Sequence, residues 1–190
     1  SIAVFGGIFG VILILGLELS DTRIKAGAEV SLKLNLPLLG VFPKLPSDMV
    51  FPRKGETELV EPARIMARHV RRASPKRGTR ILVVGAKHGE GTTSAAANLA
   101  ICFGRQDERV LLVDAQVRDV EPDHELKDLV NEGEDQVKGL GEYLSFEVDD
   151  TEDIIWATQI PGVECIPRIG EAVIPDLVGS NRMRELLEDV

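Results

Sequence analysis

Apolar residues run without interruption from Ile2 to Leu17, with no charged or strongly polar side chain among them. Wound as a helix, the run would rise about 24 Å, slightly under the roughly 30 Å of a bilayer core. It has no polar face, which argues against an amphipathic core helix. It also has no basic segment ahead of it and no small-x-small cleavage site behind it, which argues against a secretory signal peptide. The pattern predicts a transmembrane helix within residues 1–20, truncated at its N-terminus. Arg23, Lys25, Lys33 and Lys44 all follow the run, so the positive-inside tendency places the remainder in the cytoplasm. Gly6 and Gly10 have the spacing that lets two membrane helices approach closely.

Beyond the span, Pro37, Pro43, Pro46 and Pro52 alternate with Leu36, Leu38, Leu39, Val41 and Phe42. Proline at this density opposes a long helix, and residues 21–56 are predicted to be an extended, partly docked linker. Residues 57–190 then read as one domain. A helix beginning near Pro62 would put Ile65, Met66, His69 and Val70 on one face and Arg64, Arg68 and Arg71 on another. Strands are predicted at 80–85, 109–114 and 163–167, with a helix at 92–105. A short helix should carry Tyr143, and a last one is spaced Met183, Leu186, Leu187, Val190. Strands alternating with helices predict an α/β fold, a doubly wound parallel sheet of P-loop NTPase type, with its ligand at the C-terminal strand ends.

Composition narrows this picture. With 44% hydrophobic residues the chain can fill a core, and 31 acidic against 22 basic residues give a net charge of −9. That balance opposes a general nucleic-acid binder. The basic residues cluster at Arg64, Arg68, Arg71, Arg72, Lys76, Arg77 and Arg80. They read as a solvated helix face and linker, or as a patch for a partner chain or anionic headgroups. Cys102 and Cys165 have no paired spacing, so neither a disulfide framework nor a metal site is indicated.

The chemistry concentrates in residues 81–114. The apolar run Ile81-Leu82-Val83-Val84 enters a glycine loop, Gly85-Ala86-Lys87-His88-Gly89-Glu90-Gly91-Thr92-Thr93. Backbone amides without side chains in the way can wrap an anion there, and the following helix adds partial positive charge. The usual loop places lysine before its hydroxyl residue, to reach the β- and γ-phosphates. Here that place holds Thr92, while the magnesium-ligating hydroxyl remains as Thr93. A carboxylate ending a parallel strand beside such a loop, Asp114, would face the metal. On a purely structural reading Thr92, Thr93 and Ser94 cap the helix, and Asp114 is a solvated strand end.

The chain resembles the polysaccharide co-polymerase and bacterial tyrosine kinase group, deviant-type P-loop ATPases that regulate capsule and exopolysaccharide chain length and export. The resemblance rests on Gly89-Glu90-Gly91 with Ala97-Asn98-Leu99-Ala100, and on Val110-Leu111-Leu112-Val113-Asp114-Ala115 with Arg118. Softer agreements are Leu36-Pro37-Leu38-Leu39-Gly40-Val41, Pro161-Gly162-Val163, and Ser180-Asn181-Arg182-Met183-Arg184-Glu185-Leu186-Leu187. It implies that Gly89, Glu90, Gly91, Thr92, Thr93 and Ser94 bind the phosphates of ATP. Thr93 and Asp114 would hold Mg2+, with Asp114 also available as general base. It further implies a bacterial inner-membrane location, a homo-oligomer, and partners in the polysaccharide polymerase and export machinery.

Departures from the family pattern point to impaired kinase chemistry. Thr92 replaces the lysine, and Gln116 stands where a second aspartate is usual. Lys87 occupies the place of an extra lysine found in a related branch; it either restores the missing charge as a catalytic residue or is an exposed loop lysine. The oligomerisation signature Glu-x-x-Arg-x-x-Arg is met by Glu61 and Arg64 but then by Ala67, with Arg68 one step late. That step turns a helix side chain by about 100°. No second metal-side strand occurs before Val190, where the domain is expected to be truncated, and Tyr143 is the only tyrosine. The expected function is therefore a nucleotide-binding regulator of exopolysaccharide synthesis. An active autokinase relying on Lys87 and a nucleotide-free scaffold are the alternatives.

Overall fold

The computed structural model describes residues 10, 12–17, 27–42, 60–74, 78–87, 89–116, 137–168 and 175–190. The chain divides into two compact units, Ser1–Val41 and Phe42–Val190.

In the first unit, residues 12–17 are helical and exposed. Among the described residues no helix is long and apolar enough to cross a membrane; residues 1–9, 11 and 18–20 of the predicted span lie outside them. The predicted extended linker contains a helix, α1 (Gly27–Leu34), which corrects the sequence expectation. The prolines begin only at Pro37, so nothing in 27–34 blocks a helix, and the i,i+4 pair Glu29–Lys33 at 3.2 Å supports one. Asn35, at φ 52, ends it in the left-handed conformation that reverses the chain. The extended segment after it returns along the helix start, where a Cβ at Gly27 would lie 3.1 Å from Leu38 Cδ2 and 3.3 Å from Val41 Cγ2.

The second unit is layered. Its described elements are α2 (Val60–Ala73), α3 (Thr92–Gly104), β1 (Val110–Val113), α4 (Leu140–Leu144), a 3₁₀ turn (Glu152–Ile154), β2 (Trp156–Ala157), β3 (Val163–Ile166), α5 (Pro175–Val178) and α6 (Asn181–Asp189). The three strands lie in the order β1-β3-β2. β1 and β3 are parallel with Val110 opposite Val163 and Val113 opposite Ile166, whereas β2 runs antiparallel to β3. The sheet of the described residues is thus mixed, not wholly parallel. β2 joins β3 through a short link at 158–162, too short for the crossover that a parallel neighbour requires.

Both faces of β1 are covered, as a doubly wound arrangement demands. Leu111 and Val113 pack into a cluster built from Leu140, Tyr143, Leu144, Val148, Ile154, Ile166, Met183 and Leu186, which brings α4 and α6 onto one face. Leu112 points the other way, to Ala97 of α3 and Ile160. Alternation at period two therefore distributes one apolar run between two helical layers. α2 forms the outermost layer, with Ala63 and Ala67 buried against Leu99 and Cys102 of α3. The predicted inward face of α2 is rotated: Ile65 is exposed, while Met66 and Val70 flank the two alanines. Small side chains win this contact because they let the two helix backbones close up.

The segment predicted as strand 80–85 forms no ladder among the described residues, and Leu82 and Val84 are exposed. Its apolar, β-branched composition favours extended backbone, but β1 makes its ladder with β3 instead.

Candidate functional site: the glycine loop and the end of β1

The loop between residue 85 and α3 is shaped by three glycines. Gly89 (φ 78) and Gly91 (φ 76) adopt left-handed backbone that side chains rarely tolerate, although each has open space around it. At Gly85 the constraint is spatial, since a Cβ would collide with Thr92 Oγ1. Thr92 thus turns its hydroxyl back onto the start of the loop. Its side chain, like those of Thr93 and Ser94, is half-buried.

α3 starts without a side-chain cap: Gly91 fills the capping position, and its carbonyl accepts from the Ala95 amide at 2.8 Å. The purely structural reading, in which the hydroxyls cap this helix, is not what the described residues show. No acidic residue lies in the first turn, so its amides keep their partial positive charge.

The loop amides do converge. Ala86 N–H and Lys87 N–H both donate to one oxygen, Oε2 of Glu90, at 2.9 and 3.1 Å. Two successive amides aimed at one anionic oxygen form the concave donor set that also suits a phosphate oxygen. Lys87 is exposed beside them. His88 lies outside the described residues.

Asp114 follows β1 at the C-terminal end of the sheet, where its amide donates to Ile166 O at 3.0 Å. Its Oδ1 accepts from Gln116 N–H at 3.2 Å, and the Gln116 carbonyl in turn accepts from Arg168 Nη1 at 3.2 Å. Arg168 was not anticipated; the available signal was a cation directly after the predicted strand 163–167. The Asp114 charge is felt nearby. Burial, and after it the Asp114 carboxylate, push the Cys165 thiol up to about 12. Burial also raises Cys102, against the opposing pull of Arg105 and Arg64.

Two open surface cavities, of about 300 and 220 Å³, lie elsewhere: one beside Tyr143, Asp149 and Asp189, the other at the opposite sheet end beside Arg109 and Gly162. Among the described residues no three His, Cys, Asp or Glu side chains group to hold a metal. A Mg2+ ion bound through phosphate, one threonine hydroxyl and a strand-end carboxylate needs no such group.

The oligomerisation signature also acquires a place. Glu61 and Arg64 pair at 3.0 Å on the exposed side of α2, whereas Ala67 is 2% exposed against α3. An arginine there would be driven into the helix contact. Arg71 instead bridges to Glu108 at 3.0 Å and lies 5.6 Å from the Phe103 ring centroid.

A layered α/β domain with a glycine loop opening a helix defines the class: the fold is that of bacterial tyrosine kinase P-loop domains. Solved structures similar to it include the chimerical protein CapA2B2 (23% identical, TM-score 0.69, covering 86% of this chain and 70% of that one). The kinase domain of the Escherichia coli tyrosine kinase ETK is 23% identical at TM-score 0.67, with 87% of this chain and 68% of that one covered. The BceF tyrosine kinase domain matches at 23% identity and TM-score 0.67, covering 88% and 72%. In sequence the chain is 26% identical to the tyrosine-protein kinase ptk of Acinetobacter johnsonii, over 97% of its own length. It spans about a quarter (26%) of that curated relative. No protein-family model matches. The resemblance to the bacterial tyrosine kinases thus holds in sequence and in fold.

Proposed function

We propose that the chain is a membrane-anchored P-loop domain of the bacterial inner membrane, facing the cytoplasm, that binds nucleotide and regulates exopolysaccharide or capsule synthesis, chain length or export. Its kinase chemistry is impaired. The observation that carries the reading is the pair of amides, Ala86 and Lys87, converging on one anionic oxygen beside an uncapped helix start. The apolar run at 2–17 supports the membrane anchor.

In this reading the amides of Ala86 and Lys87 and the backbone of residues 89–94 hold the phosphates of ATP. Thr93 Oγ1 and the Asp114 carboxylate hold Mg2+, which supplies charge neutralisation on the phosphates when bound. Thr92 offers a hydroxyl where an ammonium would stabilise transferred charge. Losing that contact costs about 1.5–3 kcal/mol in binding and on the order of 100- to 1,000-fold in rate, by analogy with removal of one oxyanion donor. Nucleotide state would be coupled to assembly with the polysaccharide polymerase and export machinery, and to homo-oligomers formed in the membrane.

A second reading, an active autokinase or ATPase, is favoured by one observation: Lys87 is exposed next to the converging amides. Titration of the detergent-solubilised 190-residue chain with Mg-ATP, with and without Lys87→Ala, separates the readings. Binding without turnover is expected. Turnover that disappears in Lys87→Ala would establish the enzyme, and no affinity at all would leave a scaffold.

A further inference from the structure

Among the described residues of the loop, Glu90 sends its charged group back to the loop amides. Its carboxylate oxygen accepts from Ala86 at 2.9 Å and from Lys87 at 3.1 Å, closing a ring across three to four residues. The left-handed glycines on either side, Gly89 and Gly91, set the turn that brings the side chain back over the loop. A carboxylate and a phosphate present the same feature to a pair of amides, an anionic oxygen with free lone pairs. They cannot both occupy it.

From this geometry we infer that Glu90 is an internal competitor for the phosphate subsite: its carboxylate closes the loop on itself, and an incoming polyphosphate must displace it. The inference rests on the nucleotide-binding reading above and deepens it. Two consequences follow from the physics. The apparent affinity is reduced by the fraction of time the loop stands closed, so a loop open about a tenth of the time binds about tenfold more weakly than its intrinsic affinity. Moreover, the missing lysine and the present glutamate act in the same direction. With Thr92 in place of an ammonium, no cation at that position draws the Glu90 carboxylate away from the amides or rewards the phosphate that replaces it.

The geometry separates two effects of the glutamate, its bond to the amides and its bare negative charge. Glu90→Asp keeps the charge but shortens the arm by one methylene, so the bond is lost; Glu90→Ala removes both. Because Glu90 is exposed, neither change disturbs the core. Calorimetric titration of the detergent-solubilised chain with Mg-ATP should show about tenfold tighter binding in Glu90→Ala, and a gain of several-fold in Glu90→Asp as well. The amide resonances of Ala86 and Lys87 should shift in both variants before nucleotide is added. Unchanged or weaker binding in Glu90→Ala overturns the inference while leaving nucleotide binding intact. Tighter binding in Glu90→Ala with wild-type affinity in Glu90→Asp also overturns it, since charge repulsion alone would then be at work. If no variant and no wild-type chain binds Mg-ATP, the nucleotide reading itself fails and the competitor role falls with it.

Discussion

The guanidinium of Arg182 lies 4.3 Å from the ring centroid of Tyr143, and the same group lies 4.3 Å from the ring of Phe146. It also donates to the carbonyls of Tyr143 at 2.6 Å and Val148 at 2.5 Å, and to Asp149 Oδ1 at 3.2 Å. One side chain from α6 thereby fastens the end of α4 and the turn that follows it. Replacing it with alanine would leave two carbonyls without this donor and remove both ring contacts. Arg182→Ala should destabilise the domain by about 2–4 kcal/mol, read from urea unfolding. Arg182→Lys should recover only part of the loss, because an ammonium cannot stack flat against a ring.

The same arrangement bears on phosphorylation. Tyr143 is the only tyrosine in the chain, and it is 3% exposed beneath that arginine. Incubation of the folded chain with Mg-ATP and a phosphotyrosine antibody should give no signal. A signal on Tyr143 that persists under native conditions would mean that α4 opens readily, contrary to its packing.

Helix α3 and the start of β3 touch through glycine. A Cβ on Gly104 would stand 2.6 Å from Val163 Cγ2 and 2.8 Å from Pro161 O. Gly104→Ala should therefore cost about 1–3 kcal/mol through overpacking, despite the better helix propensity of alanine. An unchanged melting temperature would show that the β3 start yields freely.

Restoring the ammonium tests the meaning of Thr92. Thr92→Lys should tighten Mg-ATP binding by about 10- to 100-fold, the scale of one charge-assisted contact. The same variant should leave affinity for adenosine, which lacks phosphate, unchanged. Equal gains for both ligands would move the effect away from the phosphate subsite.

Alkaline pH should weaken the fold through its thiols. Cys165 has its pKa raised from 9.0 to about 12, chiefly by burial, so the unfolded chain loses that proton first. Stability is fully present below about pH 9 and falls as pH rises toward 12, with a slope near 1.4 kcal/mol per pH unit for one group. Cys102 is shifted in the same direction. Chemical unfolding at pH 8 and pH 10 should reveal this decline, and Cys165→Ala should flatten part of it. A stability that rises over this interval would contradict the burial of the thiol.

Residues with a short-range signal were legible before the fold was seen. α3, expected at 92–105, occupies Thr92–Gly104, and β1 and β3 lie within one residue of their expected ends, because glycine, small-residue and β-branched runs punctuate them. β2 has only two residues, Trp156 and Ala157, and owes its existence to β3 and to the Trp156 Nε1 bond with Lys138 O at 2.7 Å. Neither partner is visible in a local window. The rotated face of α2 has a similar origin: hydropathy favours Ile65, but the neighbouring helix accepts alanine. At the site, the glycine loop and Asp114 could be read from spacing, whereas the fold of Glu90 back onto its own amides depends on two positive φ angles that composition allows but does not demand.

The contact of Ala63 and Ala67 with α3 has a mechanical consequence. At those two positions only a methyl group stands between the α2 backbone and Leu99 and Cys102 of α3, so the contact has little side chain that could yield. α2 displays the Glu61–Arg64 pair on its outer side, and α3 begins at the glycine loop. A push on the outer face of α2 would therefore reach the helix that opens at the glycine loop through two methyl groups.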